Sequence, residues 1–275
     1  MELLNKVCLI AGASGAIGRS VAKCFYREGA HLALTYRTAS PAGLRDELVG
    51  GPGRIDCYSL DVTDWEQVQV TIGQVKEKFS GIDVLVNCTG TVGPIGAFET
   101  IDIRAWVQTI ETNLVGSAHL ARAVLPNMKE RGRGKIILFS GGGAAYARPY
   151  FTPYSSSKAG LVRFAETLAQ ELESANIQVN AIAPGPVNSQ MWNEMRAASA
   201  FGGATLLEEL KRMEETGGVS PDRAAGLATF LASDRSNGLS GRLLSAIWDD
   251  WEHLDGYIAK IASSDIWTLR RVPLN

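Results

Sequence analysis

Tyr154 and Lys158 stand four residues apart where a long helical pattern begins. A helical turn holds about 3.6 residues, so the two side chains project from one face and their polar ends can converge. A phenol beside an ammonium is equipped for proton transfer. The unperturbed phenol titrates near ~10, and lowering it by about three units takes roughly 4 kcal/mol of preferential phenolate stabilisation. One ammonium at about 4 Å, in an effective dielectric of about 20, supplies that order of energy. Far upstream, the first apolar run ends in Gly12-x-x-Gly15-x-x-Gly18 and passes into an apolar helical stretch. Such a turn lets backbone amides approach a pyrophosphate at a helix N-terminus; an isolated match can be a purely structural turn, but its place after the first strand favours the cofactor reading.

Other chemistries find no support. Cys8, Cys24, Cys57 and Cys88 are scattered, with no C-x-x-C pair and no zinc spacing, so they read as reduced thiols and no metal site is expected. His31, His119 and His253 are isolated from one another and form no recognisable hydrolytic triad. With 27 Lys+Arg against 29 Asp+Glu, the chain has no basic field to attract nucleic acid or an anionic membrane. No apolar run approaches the roughly 20 residues of a membrane helix, and the first residues run into a strand pattern without a leader-like segment, so a cytoplasmic location is expected.

The elements that must position these residues follow from periodicity. The runs KVCLIAG, HLALTY, RIDCYSLDV, IDVLVNC, KIILFS and IQVNAIAPG are short and apolar, and helical patterns separate them. Helices are predicted from about Ile17 to Glu28, from about Pro41, from Thr63, from about Ile103 to Arg131, and from about Tyr154 to Ser174. Continuous apolar strands alternating with helices predict an α/β fold: a doubly wound parallel sheet covered on both faces. Thr63 with Glu66 has a capping-box spacing, and Ser220-Pro221-Asp222 reads as a cap with proline at the first helical position. Residues 189–218 weaken into a mobile insertion with one or two short helices. A last strand around GRLLSAIW precedes a Trp-rich tail.

Seven segments together resemble the short-chain dehydrogenase/reductase family across roughly residues 5 to 247, and they arrive in family order. They are AGASGAIG at 11–18, LDV at 60–62, NCTG at 87–90, Asn113 in ETNLVG, Ser140 in IILFSGGG, Tyr154-Ser-Ser-Ser-Lys158, and VNAIAPGPVNS at 179–189. The resemblance implies one Rossmann-fold domain over residues 1–247, including a substrate loop at 189–218, and a tail at 248–275 packed on that domain or on a neighbouring subunit. It implies a nicotinamide dinucleotide in the cradle of Gly12, Ser14, Gly15, Ile17 and Gly18. Asp61 and Val62 would contact the adenine, Asn87 and Gly90 would line the adenosine side, and Pro184, Gly185 and Val187 would cover the nicotinamide. By the same resemblance Tyr154 is the acid/base, Lys158 lowers its pKa and binds the nicotinamide ribose, and Asn113 holds a water on the proton route. Asp61 can alternatively terminate a strand, and Asn113 can be a polar helix residue with a structural bond.

The second strand ends in Tyr36 and Arg37 rather than in an acidic residue that would bond a ribose 2′-hydroxyl. A guanidinium forms paired bonds to phosphate, so NADP(H) is the expected cofactor and NAD(H) the possible one, unless Arg37 is an ordinary solvated loop residue. The chain departs from the family in three places. The substrate-orienting serine falls, without a gap, at Gly141, with Ser140 one residue early; either the loop bends to present Ser140 or another donor fills the role, and Ser140 is expected to take it. Ala16 stands where many members carry glycine. The ending SAIWDDWEHLDGYIAK replaces an Asp-Gly-Gly, so Trp248, Trp251 and Trp267 cover the core, cap the pocket or contact a neighbour.

Met191, Trp192, Met195, Phe201, Leu206 and Leu207 in the insertion, with Tyr146, Tyr150 and Phe151 on a facing loop, predict an apolar or mixed small-molecule substrate under a water-excluding lid. Arg148 can recognise an anion there, or stand as a surface arginine. The family habit implies a homodimer or homotetramer through helices around 103–131 and 154–174. The expected activity is an NAD(P)-dependent interconversion of a carbonyl and a secondary alcohol. Reduction of a 3-oxoacyl thioester is the close alternative, and a non-catalytic NADP(H)-binding redox sensor is the alternative from another class.

Overall fold

The structure, a computed structural model, describes residues 1–38, 41–48, 51–254 and 256–272. Along the chain come β1 (Val7–Ala11), α1 (Ala16–Arg27), β2 (His31–Tyr36), α2 (Ala42–Glu47), β3 (Ile55–Ser59), α3 (Trp65–Phe79) and β4 (Val84–Asn87). Then follow α4 (Ile103–Ile110), a π-helical turn (Glu111–Val115), α5 (Gly116–Glu130), β5 (Gly134–Phe139), α6 (Thr152–Glu171) and β6 (Ile177–Ala183). The remainder holds α7 (Gln190–Ala197), α8 (Gly203–Thr216), α9 (Pro221–Ala232), β7 (Leu243–Ser245) and α10 (Ile258–Ala262).

Among the described residues the strands form one seven-stranded sheet in the order β3-β2-β1-β4-β5-β6-β7, and every pairing is parallel. Chain direction across the sheet reverses between β1 and β4, where Ala11 lies beside Asn87 in register. That crevice at the carboxyl ends is where open α/β sheets bind ligands. Burial on both faces explains the unbroken apolar runs. Alternate residues of β1 and β5 serve two cores, with Ile10, Ile137 and Phe139 facing α1 and α9, and Leu9, Ile136 and Leu138 facing α3, α5 and α6.

Several local expectations change in the folded chain. The cap of α3 is Asp64, whose carboxylate accepts from the Gln67 amide at 3.0 Å, because Thr63 is held by Asp61: both its amide and its hydroxyl donate to Asp61 Oδ1, at 2.9 and 2.7 Å. Ser220 does cap α9, accepting from the Asp222 amide at 3.2 Å. The helix predicted over 103–131 is interrupted by the π turn that contains Asn113.

The insertion is a two-helix lid on a closed stem. Val187 and Val219 pair as a parallel bridge, and the Val219 amide donates to the Pro186 carbonyl at 2.9 Å. The tail lies on the chain's own sheet edge. The Leu243 amide donates to the Trp267 carbonyl at 2.8 Å, and the buried Arg242 donates to the carbonyls of Ala262 and Ser264, each at 2.9 Å. Trp251 joins the core under α9 and donates to the Ala246 carbonyl at 3.2 Å, Trp267 packs at the margin of that core, and Trp248 is 78% exposed. An edge strand offers unpaired backbone groups, so this covering blunts β7 against pairing with another chain.

Candidate active site

The turn after β1 is shaped by what its glycines lack. Gly12 adopts φ +75°, and a side chain there would begin 3.1 Å from the Cys88 carbonyl carbon and the Thr89 amide nitrogen. A side chain at Gly18 would begin 2.2 Å from the Gly12 carbonyl oxygen, so α1 reaches the loop only with glycine at that position. Gly15 caps α1 with no side-chain bond, and Ser14 and Ile17 flank it on the half-buried rim of the turn. The first amides of a helix have no intrahelical partner, which leaves this end able to receive an anion. A pyrophosphate fits that bare cradle.

Around it the structure gathers most of the other expected residues. Asn87, at the end of β4, is buried; its Oδ1 accepts from the Thr89 amide and hydroxyl at 3.0 and 2.6 Å, and its Nδ2 donates to Ser117 Oγ at 2.8 Å. Asp61 follows β3 on the same side. Burial pushes its carboxyl up, but the Thr63 hydrogen bonds and the Arg37 charge outweigh that and hold it below the usual carboxylate range. Arg37 is exposed just beyond β2, and Val62 is buried beneath Gly116. Pro184, Gly185 and Val187 line the exit of β6 at the lid's stem, with Gly185 at φ +81°.

Tyr154 and Lys158 both lie buried on α6. Lys158 Nζ donates to the Phe139 carbonyl at 2.8 Å and lies 5.8 Å from the centre of the Tyr154 ring. A side chain at Gly90 would begin 3.3 Å from both Lys158 Nζ and Asn113 Oδ1, so these two polar ends face one bare backbone position. Asn113 is fully buried in the π turn. Its Oδ1 accepts from the Thr91 amide at 2.9 Å, while its Nδ2 donates to the Thr91 carbonyl and to Ser157 Oγ, each at 2.9 Å. It thereby ties the loop after β4 to α6. Thr91 and Ser157 were invisible as site-builders in the sequence; the only signal was that a buried amide must find several partners.

The electrostatics differ from the simple ammonium–phenol picture. Burial pushes the Tyr154 phenol up to about 12; the Arg148 charge opposes this and Tyr146 adds to it. Burial likewise pulls the Lys158 ammonium down to about 8, partly offset by the Cys88 thiol. Both groups are out of water, and burial is the largest influence on each, while the Lys158 ammonium also donates to the Phe139 carbonyl. Ser140 is buried, and its hydroxyl reaches the Lys158 carbonyl at a long 3.4 Å. The main chain of Gly141 lies beside the phenol instead: a side chain there would begin 2.2 Å from Tyr154 Oη.

The lid closes directly on Tyr154. Val92, Ile95, Phe151, Tyr154, Trp192, Met195, Leu206, Leu210 and Met213 form one buried cluster, with Met191 packed at its margin. Phe201, Leu207, Tyr146 and Tyr150 are exposed, so these four expected pocket residues are not part of that apolar packing. Leu210 and Met213 are lid residues the spacing did not single out; they lie on the inner face of α8, which only the tertiary structure defines.

With this geometry in place, the likenesses to other proteins are direct. The family model described as short chain dehydrogenase matches residues 6–200. The chain belongs to the short chain dehydrogenase family. This dehydrogenase-family chain is 33% identical over 245 residues to a 3-oxoacyl-acyl-carrier-protein reductase of Thermotoga maritima, covering 89% of this chain and 97% of that protein. The solved structure of an actinorhodin polyketide ketoreductase variant with NADPH superposes with a TM-score of 0.78 at 26% identity, covering 87% of this chain and 95% of that one. An NAD+-bound xylitol dehydrogenase shares the fold, with a TM-score of 0.79 at 23% identity over 89% of this chain and 98% of that one. Membership of this family makes the protein an NAD(P)-dependent oxidoreductase. Among the described residues, no helix is long and apolar enough to cross a membrane.

Proposed function

We propose that the chain reduces a carbonyl to a secondary alcohol, and runs the reverse reaction, with Tyr154 as the proton donor and acceptor. The observation that carries this reading is the Tyr154 phenol held under an apolar lid, on the same helix as a buried Lys158, at the carboxyl edge of β4 and β5. The dinucleotide supplies the hydride when bound. Gly12, Ser14, Gly15, Ile17 and Gly18 would hold its pyrophosphate, Asp61, Val62, Asn87 and Gly90 its adenosine side, and Pro184, Gly185 and Val187 its nicotinamide end. The chain's own contribution is proton control. With the phenol raised to about 12, Tyr154 carries its proton at neutral pH and can give it to the oxygen of a carbonyl. Lys158 would contact the nicotinamide ribose, and Asn113 would keep the π turn open to a water on the proton route. Ser140, buried at the end of β5 with a hydroxyl only weakly committed to the Lys158 carbonyl, would orient the substrate oxygen. Residues 1–247 would act as one catalytic unit and 248–275 as its tail. The test is NADPH oxidation against a panel of apolar ketones, with no turnover of any as the outcome that removes the reading.

NADP(H) is the preferred cofactor in this proposal, because Arg37 follows β2 in place of an acidic residue. A hydrogen bond to a charged group contributes about 1.5–3 kcal/mol, so Arg37→Ala is expected to raise the NADPH dissociation constant roughly 10- to 100-fold and to leave NADH binding unchanged. Titration by tryptophan fluorescence reads both, and equal losses for the two cofactors would reject the assignment.

The similarity to the Thermotoga reductase supports a second substrate reading, a 3-oxoacyl thioester. Comparison of an acetoacetyl thioester with simple ketones separates the two by kcat/KM. Ile103 and Val107 on α4 and Val115 in the π turn are exposed apolar side chains, which supports assembly into a homodimer or homotetramer through α4, α5 and α6. A monomer by sedimentation at micromolar concentration would reject it. Four free cysteines fit a reducing, cytoplasmic setting.

A further inference from the structure

Arg148 lies in the loop between β5 and α6, yet its side chain is only 9% exposed. Its guanidinium pairs with the Glu209 carboxylate on α8, lies 3.7 Å from the centre of the Phe151 ring, and approaches Met195 Sδ on α7 at 3.6 Å. Its Cβ lies 3.3 Å from the point where a side chain at Gly143 would begin. One side chain thus touches both lid helices, the residue that opens α6, and the glycine loop at 141–143. The phenol of Tyr154 rests against that same loop at Gly141. Among the described residues, Arg148–Glu209 is the ion pair that joins the lid to the rest of the chain; Arg196–Glu214 and Lys211–Glu215 stay within the lid.

We propose that Arg148 is a positioning residue for the reaction: its pairing with Glu209 and its stacking on Phe151 hold α7 and α8 over Tyr154 and brace the glycine loop against which the phenol rests. The inference rests on Tyr154 as the acid/base. A planar guanidinium suits this place because it can stack on a ring and bond a carboxylate at once, which an ammonium cannot reproduce. The charged and titratable groups facing Tyr154 are Lys158 on its own helix, Arg148 and Tyr146 on the preceding loop, and Glu209 on the lid through its pairing with Arg148. Arg148 also opposes the upward push of burial on the phenol, so the latch and the proton donor share one electrostatic environment.

The experiment compares the full-length wild type with Glu209→Gln, Arg148→Lys and Tyr154→Phe. Hydrogen exchange is followed in segments 141–158 and 190–216, and the kcat and KM of benzil reduction by NADPH are measured alongside. Glu209→Gln keeps the shape of the side chain and removes the charge, so the fold is retained. It is expected to speed exchange about tenfold in both segments, as local opening becomes easier, to raise KM and to lower kcat by about tenfold. Arg148→Lys should keep part of kcat while loosening the lid to a similar extent. Unchanged exchange in Glu209→Gln overturns the latch, and faster exchange confined to 190–216, or kcat intact with the lid loosened, overturns the positioning role. Turnover in Tyr154→Phe equal to wild type removes the acid/base reading itself, and that result is separate because exchange in Glu209→Gln reports the latch independently.

Discussion

Tyr154→Phe is expected to lower turnover by about a hundred- to ten-thousand-fold, the span that a positioned general acid contributes, while dinucleotide affinity stays within about twofold of wild type. The substitution removes one oxygen and leaves the ring in its buried apolar cluster, so the fold and the cradle around Gly12 and Gly18 are untouched. The pH profile of the wild type carries the same argument. Lys158 is charged below its value of about 8 and Tyr154 is protonated below about 12. Carbonyl reduction needs the phenol proton and is favoured by the ammonium, so it should be level below about pH 8 and fall as pH rises through that value. Alcohol oxidation needs the phenolate, so it should increase as pH rises toward the phenol's value of about 12. Steady-state rates in both directions, with fluorescence titration of the cofactor, measure all of this. A kcat for Tyr154→Phe within a few-fold of wild type would refute the assignment.

Gly141→Ala should be nearly as damaging, with kcat reduced about a hundredfold and cofactor affinity retained. A Cβ at that position would begin 2.2 Å from Tyr154 Oη and 3.0 Å from Cζ, closer than non-bonded atoms approach, so the phenol must move. Misplacing a reacting group by about an ångström is enough for a loss of that size. The result bears on the serine as well. Gly141 holds the usual family spacing but has no hydroxyl, and the neighbouring Ser140 reaches the Lys158 carbonyl at 3.4 Å. In the same assay Ser140→Ala should lower kcat at least about tenfold if its hydroxyl orients the substrate oxygen. Near-wild-type turnover would show that the donor lies elsewhere, and an unaltered kcat in Gly141→Ala would show that the phenol is not confined by the loop.

The sequence by itself determined the sheet, its parallel sense and the family. Strand runs such as VCLIA and KIILF are apolar on both faces, and only burial under helices on both sides satisfies that pattern. The glycine turn and the Tyr154–Lys158 spacing were legible because each follows from local geometry: the approach of α1 to the Gly12 carbonyl, and the repeat of one helix. What depended on residues far apart in the chain was decided by the tertiary structure. Asp61 captured Thr63 and passed the α3 cap to Asp64. Asn113 met Thr91 and Ser157 through a π turn that no periodicity marks. Lys158 turned its ammonium to the Phe139 carbonyl, and burial, which depends on the lid, pushes the phenol up. Arg148, a loop arginine by pattern, became buried because Glu209 and Phe151 converge on it from the lid and from α6. Periodicity reports which face of an element is buried; the identity of the partner on that face is set only when distant segments pack, and in this protein the partners set the proton chemistry.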